Sequence, residues 1–196
     1  MSSLVGVILL YFQTSYLRKQ LANDNERPRR EKAVDLIMAW SQSLQRETRS
    51  AELLVSKFNE DQAHNLFYER SVEIDNNPEN ERLLITCLGS MTGIQKNQAT
   101  NKLILEPSSA SSIRWQVLTY LNTLEAILAA WDNNVANREM IEKEFNYVYD
   151  PQKRYNVVKN FRDAAGGDKS YPAIEAFLKK IKGNSTVSQA QQPLEP

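Results

Sequence analysis

Soft ligands and nucleophiles are scarce in this chain, which holds one cysteine, Cys87, and one histidine, His64, among 196 residues. A lone thiol makes no internal disulfide, and one thiol with one imidazole falls short of the ligand set of a structural zinc site. No nucleophile–base–acid triad can be assembled from their spacing. Six glycines are present, none in a Gly-x-Gly-x-x-Gly or P-loop arrangement, so the common glycine-rich phosphate cradles are excluded. Excess charge of one sign is also missing: Lys+Arg and Asp+Glu both number 24. A chain without net charge has no global field to draw in a polyanion, so nucleic acid is not an expected partner. No metal and no cofactor is expected on this composition. β-Branched runs are few and no Gly-rich βα turn occurs, which argues against a βαβ fold.

What is present is helical periodicity. The run 112–131, SIRWQVLTYLNTLEAILAAW, is the longest periodic stretch outside the extreme N-terminus. Val117, Leu118, Leu121, Leu124 and Leu128 form one apolar stripe, and Tyr120, Ile127 and Trp131 form an adjoining one. Two apolar faces on one helix predict a central helix contacted on both sides. Ala126, Ala129 and Ala130 allow close approach of neighbours. Ser111 or Ser112 is the expected N-cap, and Asp132-Asn133-Asn134 the terminating turn. The expected fold class is all-α, an irregular multi-helix bundle preceded by an N-terminal hydrophobic helix.

That first helix is read from residues 1–17, which carry no charge. Its apolar content is Leu4, Val5, Val7, Ile8, Leu9, Leu10, Tyr11 and Phe12. At ~1.5 Å per residue, seventeen residues cover about 26 Å of a hydrocarbon core of ~30 Å. Tyr11, Phe12 and Tyr16 fall where an aromatic belt would lie, and the basic residues Arg18, Lys19, Arg27, Arg29, Arg30 and Lys32 follow. A positive flank after the apolar run predicts a single-pass anchor in the inner (plasma) membrane with the C-terminal domain in the cytoplasm. The basics also suit anionic lipid headgroups, making membrane lipid an expected partner. A cleaved signal peptide fits poorly, because no charge precedes Arg18 and no Ala-x-Ala-like site follows. The other reading of the segment is a helix buried in an oligomer, a homo-oligomer being one form of it, or in a groove. The expected layout is an anchor at 1–20, a basic linker at 21–32, a cytoplasmic helical domain at 33–182 and a disordered tail at 183–196.

Within the domain, Ala33, Val34, Ile37, Met38, Trp40 and Leu44 predict a helix with Trp40 as a core or interface anchor. Residues 51–70 predict one helix or two, broken near Asn59-Glu60-Asp61, with Leu53, Leu54, Phe58, Leu66 and Phe67 inward. Asp75-Asn76-Asn77-Pro78 predicts a turn and helix start, the helix running through Cys87 to Met91. Gly89-x-x-x-Gly93 lacks an apolar setting and marks a helix end or crossing. Lys102 to Leu105 reads as a short strand or a pinned apolar loop. Further helices are expected over 137–149, after Asp150-Pro151 with Tyr155, Val158 and Phe161 inward, and over 171–181, stopped by Gly183.

Several polar residues invite a chemical reading. Glu125 borders the buried stripe of the central helix, as a site carboxylate or as a boundary carboxylate paired with a base. Asn122 is expected to face outward. Glu139, Glu142 and Glu144 carry Lys143 between them and no Glu-x-x-His, the pattern of a solvated face. Lys153, Arg154, Lys159 and Arg162 form a basic stretch interleaved with Tyr155 and Phe161, read as a solvated face over core aromatics. The Arg-x4-6-His signature of RNA-cleaving helical domains fails, since Phe58, Asn59 and Glu60, not arginine, occupy the matching window before His64.

Over residues 111–181 the order of parts resembles a bacterial family of membrane-anchored helical proteins known only as a domain of unknown function. The matching residues are Arg114-Trp115, Asn122-Thr123-Leu124-Glu125, Phe145, and Tyr171-Pro172-Ala173-Ile174-Glu175-Ala176-Phe177. The resemblance implies a membrane-tethered cytoplasmic domain, singles out Asn122 and Glu125, and carries no activity with it. The first functional expectation is therefore a membrane-tethered helical interaction or sensor protein of a bacterium or phage, without an identifiable catalytic site. A helical effector or enzyme with a site around Glu125 and Arg114, joined by His64, is the second. A soluble structural subunit whose first helix packs in an oligomer is the third.

Overall fold

The computed structural model describes residues 25–150 and 155–190. The expected anchor, and with it Arg18 and Lys19, lies outside the described residues, as does the tail beyond residue 190. The chain is mostly helical. In order come α1 (described over residues 25–43), α2 (Arg46–Val55), α3 (Glu60–Phe67), β1 (Val72–Asp75), α4 (Pro78–Leu88), β2 (Ile94–Asn97), β3 (Lys102–Leu105) and α5 (Pro107–Asp132). Then follow α6 (Arg138–Phe145), β4 (Tyr149–Asp150), β5 (Tyr155–Asn156), α7 (Lys159–Ala164) and α8 (Pro172–Ala190). Short 3-10 turns precede β4 and α8.

α5 is the central helix, packed against α2, α3, α4, α6 and α8. Both expected apolar faces are inside: Val117, Tyr120, Leu121, Leu124, Ile127, Leu128 and Trp131 are buried. Trp40 of α1 sets its edge on Tyr120 and Phe145, with ring centres 5.1 and 5.5 Å apart. Trp131 meets Phe177 of α8 edge-on at 5.0 Å. Such crossed aromatic pairs place ring edges against ring faces and fix the angle between elements.

Local chemistry explains most boundaries. Asn59 opens α3 with a capping box, its side chain accepting from Gln62 N while the Gln62 side chain accepts from Asn59 N. Asn77 caps α4, Pro78 takes N1, and Gly89 closes the helix at φ 72°. α5 starts at Pro107, not at Ser111 or Ser112. A proline at N1 loses no helical bond, so the helix begins straight from β3. The serine cluster lies inside the helix: Ser112 Oγ donates to Ser108 O, and Ser109 Oγ donates to Gly93 O at 3.2 Å. A Cβ at Gly93 would come within 2.5 Å of Ser109 Oγ, so glycine is required there.

The all-α expectation needs correction at two places, the smaller being the antiparallel pair of β4 and β5. β1, β3 and β2 form a three-stranded antiparallel sheet in that spatial order. Val72 and Ile74 lie opposite Leu105 and Leu103, and all four are buried. β3 is thus the strand alternative of the Lys102–Leu105 reading, whereas β1 and β2 fall where the sequence predicts no strand. Each has four residues, too few for alternation to stand out.

Other expectations shift in detail. The expected linker is helical from residue 25, so Arg27, Arg29, Arg30 and Lys32 ride on α1. Arg27 pairs with Glu31 and Arg30 with Glu26, one turn apart. The Glu26 carboxylate also accepts from the Asn137 side chain, and Asn137 N donates to Arg29 O, tying α1 to the start of α6. Leu53 is exposed rather than inward. Tyr155 lies in a strand, and Val158 is the residue before α7, buried at φ 38°. Gly183 does not stop the closing helix, which continues to Ala190. Among the described residues no helix is long and apolar enough to cross a membrane.

Candidate functional site

Glu125 lies on α5 facing the start of α8. The sequence there is Ser170-Tyr171-Pro172, with no free capping side chain, because Ser170 Oγ donates to Ala165 O. Pro172 at the first helical position has no N–H, which leaves the amides of Ala173 and Ile174 as orphans. Glu125 takes both: Oε1 accepts from Ala173 N at 2.8 Å and Oε2 from Ile174 N at 2.9 Å. The partner of this boundary carboxylate is thus the positive end of a helix, not a lysine or arginine. The missing local cap before Pro172 was the sequence signal for it.

Arg114, about three turns earlier on α5, holds the end of α3. Its Nε donates to Phe67 O at 2.7 Å, Nη1 reaches Glu69 Oε1 at 3.1 Å, and the guanidinium lies 5.2 Å from the Phe67 ring centre. Glu69 sits at φ 55°, where the chain turns out of α3. Arg114 therefore satisfies a terminal carbonyl and fixes that turn.

The two residues meet electrostatically at Tyr171, which is buried. Burial pushes the Tyr171 phenol above the usual tyrosine range and the Glu125 carboxylate pushes it further, while Arg114 and Arg162 pull it back. Arg162 of α7 is itself buried, with Nη2 donating to Asn156 Oδ1 at 3.0 Å and lying 3.3 Å from Glu175 Oε1. It was read as part of a solvated basic face. The structure places it in the core instead, and Lys159 is paired with Asp163 at 2.5 Å. Lys153 and Arg154 lie outside the described residues.

Asn122 is exposed, about 60° round α5 from the half-buried Glu125. His64 is exposed on α3, its ring 4.6 Å from that of Tyr68, and makes no contact with Glu125. Glu142 accepts from Trp131 Nε1 at 3.0 Å, and Glu139 and Glu144 do not join it. Among the described residues no group of three or more His, Cys, Asp or Glu side chains is placed to hold a metal. Cys87 is buried, its thiol pushed up to about 12 by burial and then by Glu47.

The outer face of α5 was not read from the sequence. Ser108, Ser112, Trp115, Thr119, Asn122 and Ala126 are all exposed, at alternating spacings of four and three that put them in one line. Trp115 is 69% exposed, the most exposed large apolar side chain described. Comparison of the chain with protein-family models, with curated proteins and with solved structures gave no match. The resemblance over residues 111–181 therefore rests on the residues quoted for it.

Proposed function

We propose that this protein is a membrane-tethered, helical interaction module that presents the outer face of α5 to a protein partner. The observation that carries the reading is Trp115. A tryptophan 69% exposed in the first half of α5, the longest helix among the described residues, contributes little to the fold. Tryptophan is among the residues that dominate binding energy when a partner covers them. The residues in line with it are small or short and polar, so a partner helix can approach the backbone closely around the one large anchor. The tether follows from the sequence: an uncharged apolar run, then a basic flank leading into α1. The alternative of an enzyme built on Glu125 and Arg114 is weakened by their engagement with backbone groups of α8 and α3. Two measurements test the proposal. Fractionation of cells expressing the full chain or a chain starting at Asn25 should place only the first in the alkali-resistant membrane fraction; a soluble full chain removes the tether. A photo-crosslinking residue at position 115 should yield a discrete adduct that the same residue at Asp132 does not, and an identical pattern from both positions removes the docking face.

A further inference from the structure

Of the described α-helices, α5 alone has no exposed charged residue before its last one, Asp132. Its two other charged residues, Arg114 and Glu125, are half-buried and bonded to backbone groups of α3 and α8. Every other described α-helix turns charged side chains to water. Depletion of charge is what separates the centre of a protein–protein contact from ordinary surface. The exposed line of α5 also has a definite rhythm. Ser108, Ser112, Trp115, Thr119, Asn122 and Ala126 follow one another at steps of four and three, the seam spacing of paired helices. Only Trp115 is large.

The order of sizes along the line indicates what covers it. Two α5 helices laid antiparallel can be set so that Trp115 of one copy lies over Ala126 of the other. Two-fold symmetry then repeats the contact at the far side of the axis, so each large side chain meets the smallest residue of the line. The same register brings Thr119 opposite Asn122. There the Asn122 amide can donate to Thr119 Oγ1, whose own proton goes to Trp115 O. Parallel pairing would instead set Trp115 on Trp115 and Ala126 on Ala126, overfilling one layer and emptying another. The line is therefore complementary to itself in one direction and not in the other.

We infer that the partner of the α5 face is a second copy of this chain, paired antiparallel through Trp115 and Ala126. The inference rests on the docking face proposed above and names its occupant. Six residues a side is far fewer than the ~20–30 of a stable complex, so the pair is weak in free solution. Copies tethered to one membrane meet at a higher effective concentration, which supports the contact. The test uses full chains in membranes, one carrying Ser112→Cys and a differently tagged one carrying Ala126→Cys, treated with a short bis-maleimide. Both positions are exposed, and the native Cys87 is buried. In the antiparallel pair, residue 112 of one copy lies roughly 4.5 Å along the axis from residue 126 of the other. Like positions are far apart, about 25 Å for 112 and about 16 Å for 126. A mixed adduct is expected, with none from either variant alone. Trp115→Ala in both copies should lower its yield roughly tenfold or more, as loss of a central anchor does. Adducts from the single variants in place of the mixed one overturn the inference, as does a yield unchanged by Trp115→Ala. So does the absence of any mixed adduct. If a photo-crosslinker at position 115 then still captures a different protein, the α5 face stands and only its occupant is wrong; if it captures nothing, the face falls too.

Discussion

Glu125 and Ile174 stand 49 residues apart in sequence, yet the carboxylate of one accepts the backbone N–H of the other at 2.9 Å. With the matching bond from Ala173, a single side chain of α5 caps α8 and thereby orients the closing helix. Charge-assisted bonds of this kind contribute about 1.5–3 kcal/mol each, less where water reaches them. Glu125→Ala is expected to cost about 2 kcal/mol in urea unfolding and Glu125→Gln about 1 kcal/mol, since glutamine keeps one acceptor but loses the charge. Asn122→Ala, on the exposed side of the same helix, should leave stability unchanged. The Tyr171 phenol supplies a second readout. Glutamine at 125 should lower its pKa, but not to the ordinary value, because burial is the larger cause of its elevation. Unfolding midpoints and a Tyr171 titration indistinguishable from the parent chain would refute the capping role.

Arg114 makes the same kind of long-range closure at the other end of α5. A lysine there keeps the charge but cannot combine a planar stack on Phe67 with bonds to Phe67 O and Glu69. Arg114→Lys is therefore expected to lose most of what Arg114→Ala loses, about 1–2 kcal/mol. Glu69→Gln removes only an exposed ion pair and should cost under about 0.5 kcal/mol. Chemical denaturation of the three variants gives the order, and an arginine-to-lysine change without effect would show that charge alone matters.

These two contacts mark where reading the sequence stops. The helical core was legible because Val117, Leu121, Leu124 and Leu128 on one side and Tyr120, Ile127 and Trp131 on the other repeat over about four turns. Asn77-Pro78 and the break at Asn59 were legible because capping is local chemistry. β1 and β2 were not, since Val72 and Ile74 are only two inward positions and β2 is largely polar. Glu125 and Arg114 could be singled out as polar residues beside a buried stripe. Their partners are backbone groups of distant helices, which no side-chain pattern announces. Arg162 was misplaced for a related reason: its partners, Asn156 and Glu175, belong to β5 and α8.

Cys87 gives a pH dependence with a definite sign. The buried thiol has its pKa raised from an ordinary 9.0 to about 12, so above pH 9 the unfolded chain releases a proton that the folded chain keeps. The thiol's contribution is complete below pH 9 and is lost as pH rises toward 12, by at most about 1.4 kcal/mol per pH unit. Tyr147 and Tyr171, also raised by burial, act in the same direction at higher pH. Stability should therefore fall through this alkaline window, and Cys87→Ala should flatten its first part. Thiol labelling at neutral pH should proceed only at the rate of unfolding. Fast labelling of the native chain would contradict the buried, neutral thiol.

Val157 and Val158 offer an internal comparison. Both are buried, but only Val158 sits at positive φ, at 38°, a region that a β-branched residue occupies at a cost of order 1–3 kcal/mol. Glycine at either position removes the same side chain and the same apolar burial. At 158 it also relieves the backbone, so Val158→Gly should be less destabilising than Val157→Gly by about 1–2 kcal/mol. Equal losses in thermal unfolding would mean that the local backbone is not strained.

Trp40 and Trp115 separate the two uses of a large aromatic in this protein. Trp40 is 2% exposed and edge-packed on Tyr120 and Phe145, so Trp40→Ala should cost about 3–5 kcal/mol and broaden or abolish cooperative unfolding. Trp115 is 69% exposed on α5, and Trp115→Ala should change stability by less than about 0.5 kcal/mol. If α5 is the docking face, the same change should abolish the crosslink formed from a neighbouring probe at Ser112 while the unfolding curve stays in place. A large stability loss in Trp115→Ala would instead mean that the ring is covered within the protein itself, and the proposed partner surface would have to be sought elsewhere.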